Sequence, residues 1–190
     1  MQNLLSQIKQ CTVCEPHLDL GANPIVSGSP NSKIVIIGQA PGTKVHKSGI
    51  PWDDASGKQL RKWLGVTDAL FYNENIFAIV PMGFCYPGKG ASGDKPPRKE
   101  CAPLWHQQLF YKMPHVELVI LIGMYAQKQY LKDKAKRTLT ETVDNYPAYL
   151  PDYFVLPHPS PRNRFWLTKN PWFEREVIPK LKETIQQILT

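Results

Sequence analysis

Several things are scarce in this 190-residue chain, and each scarcity excludes a class of protein. Four cysteines are too few to staple a domain of this length, so a disulfide scaffold is excluded. No window approaches the roughly 20 apolar residues that cross a bilayer. The opening segment, MQNLLSQIKQ, interrupts its apolar residues with polar ones and has no signal-peptide core. The expectation is a soluble, cytoplasmic chain without a membrane role, acting as a monomer, whose thiols are free or bound to metal. Glycine signatures of nucleotide binding are also missing: there is no G-x-G-x-x-G, and GQAPGTK has neither the spacing nor the Lys-Ser/Thr order of a phosphate loop. Acidic residues are outnumbered, 16 against 23 lysines and arginines, and the net charge of +7 favours a polyanionic partner such as DNA or RNA.

What is present is the pattern of one α/β domain over residues 1–190. Hydrophobic residues make up 42%, enough for a sizeable core, and 18 prolines imply long ordered loops rather than a helical bundle. Four short β-branched or aromatic runs, Lys33 to Gly38, Asn75 to Val80, Glu117 to Gly123 and Tyr153 to Pro157, read as strands buried on both faces of a parallel sheet. Helical patterns fall between and after them: SGKQLRKWLG capped by Ser56, Lys99 to Lys112, Met124 to Lys132, and a C-terminal helix opened by Asn170 and Pro171 and kinked at Pro179. Strands alternating with helices predict a three-layer α/β/α sandwich on a mostly parallel four-stranded sheet, with its site at the carboxyl ends of the strands.

Three of the strands lead into unusual loops, GQAPG, PMGFCYPGKG and HPSPRN. The first could let backbone N–H groups around Gln39 and Ala40 face a ligand, although, taken alone, it reads first as a plain strand-to-helix connection. Asp53 and Asp54 precede a helix and suit its N-terminus. Beside Trp52, which could stack on a planar base, they also suit a carboxylate site at the mouth of the sheet. His158 begins a loop stiffened by prolines on both sides of Ser160, where it could donate a hydrogen bond to an oxygen gaining charge. Arg162, Arg164 and Lys169 interleave with Phe165, Trp166 and Trp172, a mix of phosphate contacts and stacking surfaces. Cys11 and Cys14 form a C-x₂-C pair, and Cys85 and Cys101 bracket a proline-rich loop. Four thiolates suit an iron-sulfur cluster or structural zinc, with buried free thiols as the plain alternative and His17 and His106 as lower-ranked ligands.

Taken in order, these motifs resemble the uracil-DNA glycosylase superfamily, especially its iron-sulfur branches, from Cys11 to about Asn163. There a G-x-x-P-G/Y loop follows the first strand and an H-P-S loop the last, as GQAPG and HPSPRN do here. The branches with four cysteines place them as Cys11, Cys14, Cys85 and Cys101 stand here, which implies a 4Fe–4S cluster, with zinc as the alternative. The chain also departs from the pattern: Gln39 and Ala40 replace an acidic residue in the first loop, and no Asn follows the second strand. A further branch has a G-D-A-S-G run, which here reads Asp53-Asp54-Ala55-Ser56-Gly57 with Asp53 in place of the leading Gly, and this makes Asp54 the candidate catalytic carboxylate. The resemblance implies a monofunctional DNA glycosylase of base excision repair, removing uracil or another deaminated base. His158 would be its second catalytic residue, Gln39, Ala40 and Trp52 would bind the base, and Ser160, Arg162, Asn163 and Arg164 would contact DNA. The competing readings are a catalytically silent, metal-stabilised nucleic-acid binding domain and an enzyme acting on free nucleosides or nucleotides.

Overall fold

The computed structural model describes all 190 residues. Its strands are β1 (Ile34–Ile37), β2 (Phe77–Ile79), β3 (Lys89–Gly90), β4 (Gly93–Asp94), β5 (Leu118–Ile122) and β6 (Tyr153–Leu156). Four of them form one parallel sheet in the order β2-β1-β5-β6, while β3 and β4 make a separate antiparallel hairpin. The helices are α1 (Gln2–Lys9), α2 (Thr43–Ser48), α3 (Ala55–Leu64), α4 (Asp68–Phe71), α5 (Gln107–Tyr111), α6 (Gly123–Leu131), α7 (Leu139–Asp144), α8 (Arg164–Lys169) and α9 (Ile178–Leu189). None is long and apolar enough to cross a membrane.

Period-two alternation along the strands builds two cores. Val35, Ile37, Val119, Leu121 and Val155 face one way and pack on Leu4, Leu5 and Ile8 of α1, Leu109 of α5 and Ala126 of α6. Ile34, Ile36, Ile120, Ile122 and Phe154 face the other way and pack on Leu60 and Trp63 of α3 and on Leu181 and Ile185 of α9. The IVII and LVILI runs are buried throughout because helices cover both faces, as the three-layer expectation requires.

The helix boundaries differ from expectation in two instructive places. Asp54, not Ser56, caps α3: its backbone is extended and its side chain accepts the N–H of Gly57, whereas Ser56 already lies in the first turn. The C-terminal helix opens with a π-helical turn over Phe173–Val177, and α9 proper begins at Ile178 with Pro179 in its first turn. Proline lacks an N–H, and the wider π-helical turn stands immediately before it.

The chain passes from β1 outward to β2 and then back across β1 to β5, so the order of strands reverses beside β1. In open parallel sheets the ligand crevice lies outside the carboxyl ends at that reversal. Gly38 to Gly42 leaves β1 there, and His158 lies two residues beyond the end of β6.

Candidate active site

Loop 38–42 is pinned at its start. The carbonyls of Gly38 and Gln39 accept the N–H groups of Met82 and Gly83 at 2.8 and 2.9 Å, which ties the loop to the segment after β2. Above it lies a cavity of about 220 Å³ lined by Gln39, Ala40, Trp52, Asp54, Asp94, His158, Ser160 and Arg162, among others. That is smaller than the pockets that hold drug-sized molecules and suits a single planar ring system. Seven residues expected at a site from sequence therefore line one space, although they come from three separate stretches of chain.

Trp52 is held in an uncommon conformation, φ 57°, by its surroundings. A Cβ on Gly38 would come within 2.8 Å of its indole, so glycine is needed for the ring to lie against the loop. Its carbonyl accepts a hydrogen bond from Arg61 at 3.3 Å, and Arg61 is paired with Asp68 at 2.8 Å. Tyr72 donates its hydroxyl to the carbonyl of Pro51 at 3.0 Å, so the turn is fastened at two successive residues. The Trp52 and His158 ring centroids stand 5.7 Å apart.

Asp54 combines both roles read from sequence. It accepts the N–H of Gly57 at 2.8 Å as the cap of α3, and it lines the cavity. Asp53 does not line it, and pairs with Lys44 at 3.8 Å near the surface. His158 is half-buried, and burial lowers its pKa against the opposing pull of the Asp54 and Asp94 charges. At neutral pH its imidazole is uncharged, which leaves one ring N–H to donate. The loop it begins is braced internally: the Asn163 amide donates to the carbonyl of His158 at 2.6 Å, and Ser160 Oγ accepts the N–H of Arg162 at 3.2 Å. Asn163 thus positions the loop, while Arg164 is exposed at the start of α8 outside the cavity.

The aromatic residues next to these arginines differ from expectation. Trp166 donates its indole N–H to Thr140 at 2.8 Å, and Trp166, Trp172 and Phe173 pack edge to face against the core. These rings are structural because Trp166 and Trp172 pack against the core that holds Phe173; Phe165, 83% exposed, does not. Sequence reasoning missed Asp94, which reaches the cavity from the β3–β4 hairpin. A lone Asp in a Gly- and Lys-rich loop carries no periodic or spacing signal.

The four cysteines line a second, mostly apolar cavity together with Leu18, Phe84 and Trp105. None is in a disulfide. No three His, Cys, Asp or Glu side chains converge to hold a metal ion. Burial pushes the Cys85 thiol up to about 11 and the Cys101 thiol up to about 12. The N–H of Phe84 points at Cys101 Sγ at 3.4 Å. His17 and His106 do not join this cavity. Instead His106 is buried between Tyr130 and the Pro81 carbonyl, at 2.6 and 3.0 Å. Burial lowers its pKa to about 4, so it is neutral, with Nε2–H donating to Pro81 and Nδ1 accepting from Tyr130.

A cavity at the strand-order reversal, walled by GQAPG, the Asp54 turn and HPSPRN, is the arrangement the motifs led us to expect. Residues 25–182 match the family model described as the Uracil DNA glycosylase superfamily, and the chain belongs to that superfamily.

Proposed function

We propose that this protein is a monofunctional DNA glycosylase that hydrolyses the N-glycosidic bond of uracil or another deaminated base during base excision repair, as a cytoplasmic monomer. The observation that carries the reading is the meeting of Asp54 and His158 in one cavity sized for a base. Family membership supplies the general activity, glycosylase-type hydrolysis on DNA.

In this reading the target nucleotide is extruded from the helix, at a cost of a few kcal/mol that is smallest at mismatches. Trp52 offers the base an aromatic face, and Gln39, Ala40 and their backbone N–H groups read its edge. His158, neutral, donates to the carbonyl oxygen on which negative charge builds as the base departs. Asp54 faces the sugar, whose transition state has oxocarbenium character and is stabilised by a carboxylate. Ser160, Arg162, Asn163 and Arg164 form the loop that meets DNA, with the arginines on phosphates.

Cys11, Cys14, Cys85 and Cys101 would hold a 4Fe–4S cluster. A single zinc draws its sulfurs in to about 2.3 Å from the ion, whereas a cluster is a body of several atoms around which cysteines stand apart. Four cysteines lining one cavity supply a thiolate set that either centre takes, and the resemblance to the four-cysteine branches favours the cluster. When bound, the cluster would act as a structural tie between the N-terminal segment and the proline-rich loop.

Single-turnover cleavage of oligonucleotides carrying uracil, hypoxanthine or xanthine tests the reading. Asp54→Asn keeps a good helix cap while removing the charge. It and His158→Ala should each slow cleavage by roughly one hundredfold with DNA binding nearly intact. Asp53→Asn should leave the rate near that of the parent. An active enzyme indifferent to both Asp54→Asn and His158→Ala would refute the assignment.

A further inference from the structure

Loop 38–42 presents the neutral residues Gln39 and Ala40 to the cavity and contributes no carboxylate of its own. The tertiary structure brings one to the same loop from elsewhere. The β3–β4 hairpin folds beside it, and a Cβ on Gly42 would stand 3.7 Å from Oδ2 of Asp94. Asp94 lines the cavity with Asp54 and His158, and its charge, like that of Asp54, acts on the His158 imidazole.

The two carboxylates differ in what already engages them. Asp54 accepts the Gly57 N–H at 2.8 Å and sits at the N-terminus of α3, whose dipole partly offsets its charge. One of its carboxylate oxygens is thereby already committed to the cap of α3. Asp94 is exposed and takes part in none of the ion pairs of the molecule. Its lone pairs are free to hold water at the cavity's edge.

Building on the glycosylase reading above, we propose that Asp94 is a second catalytic carboxylate, which orients and deprotonates the attacking water while Asp54 faces the cationic sugar. The C1′–N bond breaks with its electron pair leaving on the base, and the water oxygen forms the new bond to C1′. The water proton passes to the Asp94 carboxylate and on to solvent, and the departing base takes a proton from solvent. The acid absent from the loop after β1 is thereby supplied by the hairpin, on a different stretch of chain but against the same loop.

The test is single-turnover cleavage by the full chain and by Asp94→Asn on oligonucleotides carrying uracil, hypoxanthine or xanthine. DNA affinity is measured in parallel on an oligonucleotide holding an uncleavable abasic-site analogue. General-base catalysis is worth roughly one hundredfold or more, so Asp94→Asn should lose at least that much rate while keeping its affinity. The exposed position should leave the melting temperature unchanged. A rate within about threefold of the parent, or a loss that appears wholly as weaker DNA binding, would overturn the proposal. If the parent chain cleaves none of the three bases, the glycosylase reading itself fails, and that outcome is visible before any variant is made.

Discussion

The carbonyl oxygen of Trp52 stands where a side chain on residue 57 would begin: a Cβ there would lie 1.7 Å from it. The first turn of α3 and the Trp52 turn are therefore packed backbone to backbone, and the glycine is required by the neighbour, not by its own conformation. Replacing a glycine by alanine inside a helix ordinarily stabilises it by about 1 kcal/mol. Here the sign should reverse, because a backbone carbonyl must be displaced. Gly57→Ala is expected to lower the melting temperature and slow cleavage. Gly38→Ala, which meets the edge of the Trp52 ring at 2.8 Å, should be milder because a ring can shift. A Gly57→Ala protein as stable as the parent would show that Trp52 is not held in this way.

His106 makes stability depend on pH. Its pKa falls from 6.5 to about 4 on folding because burial disfavours the cation. Between those values the unfolded chain binds a proton that the folded chain does not, so stability is full above about pH 6.5 and declines as pH falls toward 4, by about 3 kcal/mol in all. Gln at this position can donate to Pro81 and accept from Tyr130 without titrating. Urea midpoints at pH 7 and pH 4.5 should differ less for His106→Gln than for the parent. Equal pH dependence would place the titration elsewhere.

The cysteine cavity makes a chemical prediction. Protein purified without oxygen should be brown and contain iron and acid-labile sulfide in equal amounts, as a 4Fe–4S cluster requires. Cys14→Ser or Cys101→Ser should lose the colour and loosen the N-terminal segment, read as faster proteolysis within residues 1–24. Neither iron nor zinc on metal analysis, with four titratable thiols in the folded protein, would refute a metal centre.

The arginines of the last loop should act on DNA without reading it. Arg162 lines the cavity, and a Cβ on Gly93 would lie 3.2 Å from its guanidinium, so its side chain reaches from the HPSPRN loop to the hairpin. Arg162→Ala and Arg164→Ala should each weaken binding to all sequences alike and lower the slope of log affinity against log salt by about 1. Unchanged slopes would move the binding face away from this loop.

Local sequence was sufficient for the sheet. Each expected run contains its strand, because a short continuous run of apolar residues, rich in β-branched and aromatic side chains, suits a strand buried on both faces of a covered parallel sheet. The observed strands are shorter than the runs, since pairing ends where the neighbouring strand does: Ile34 to Ile36 face Phe77 to Ile79, and β1 gains only one more partner from β5. The loops after β1 and β6 were also legible, because glycine and proline at fixed offsets after a buried strand are a local signal.

What tertiary structure alone decided is which of these residues meet, and what else meets them. Asp94 reaches the cavity only through a hairpin whose two-residue strands leave no alternating pattern in the sequence. Trp166 and Trp172 look like stacking surfaces beside arginines until the fold packs them edge to face on each other and on Phe173. His106 has the composition of a metal ligand, yet packing buries it against Tyr130 and Pro81 instead. In each case the deciding quantity is a distance between residues far apart in the chain, set by how helices and hairpins dock on the sheet. Propensity and spacing act over a few residues and carry no information about that docking.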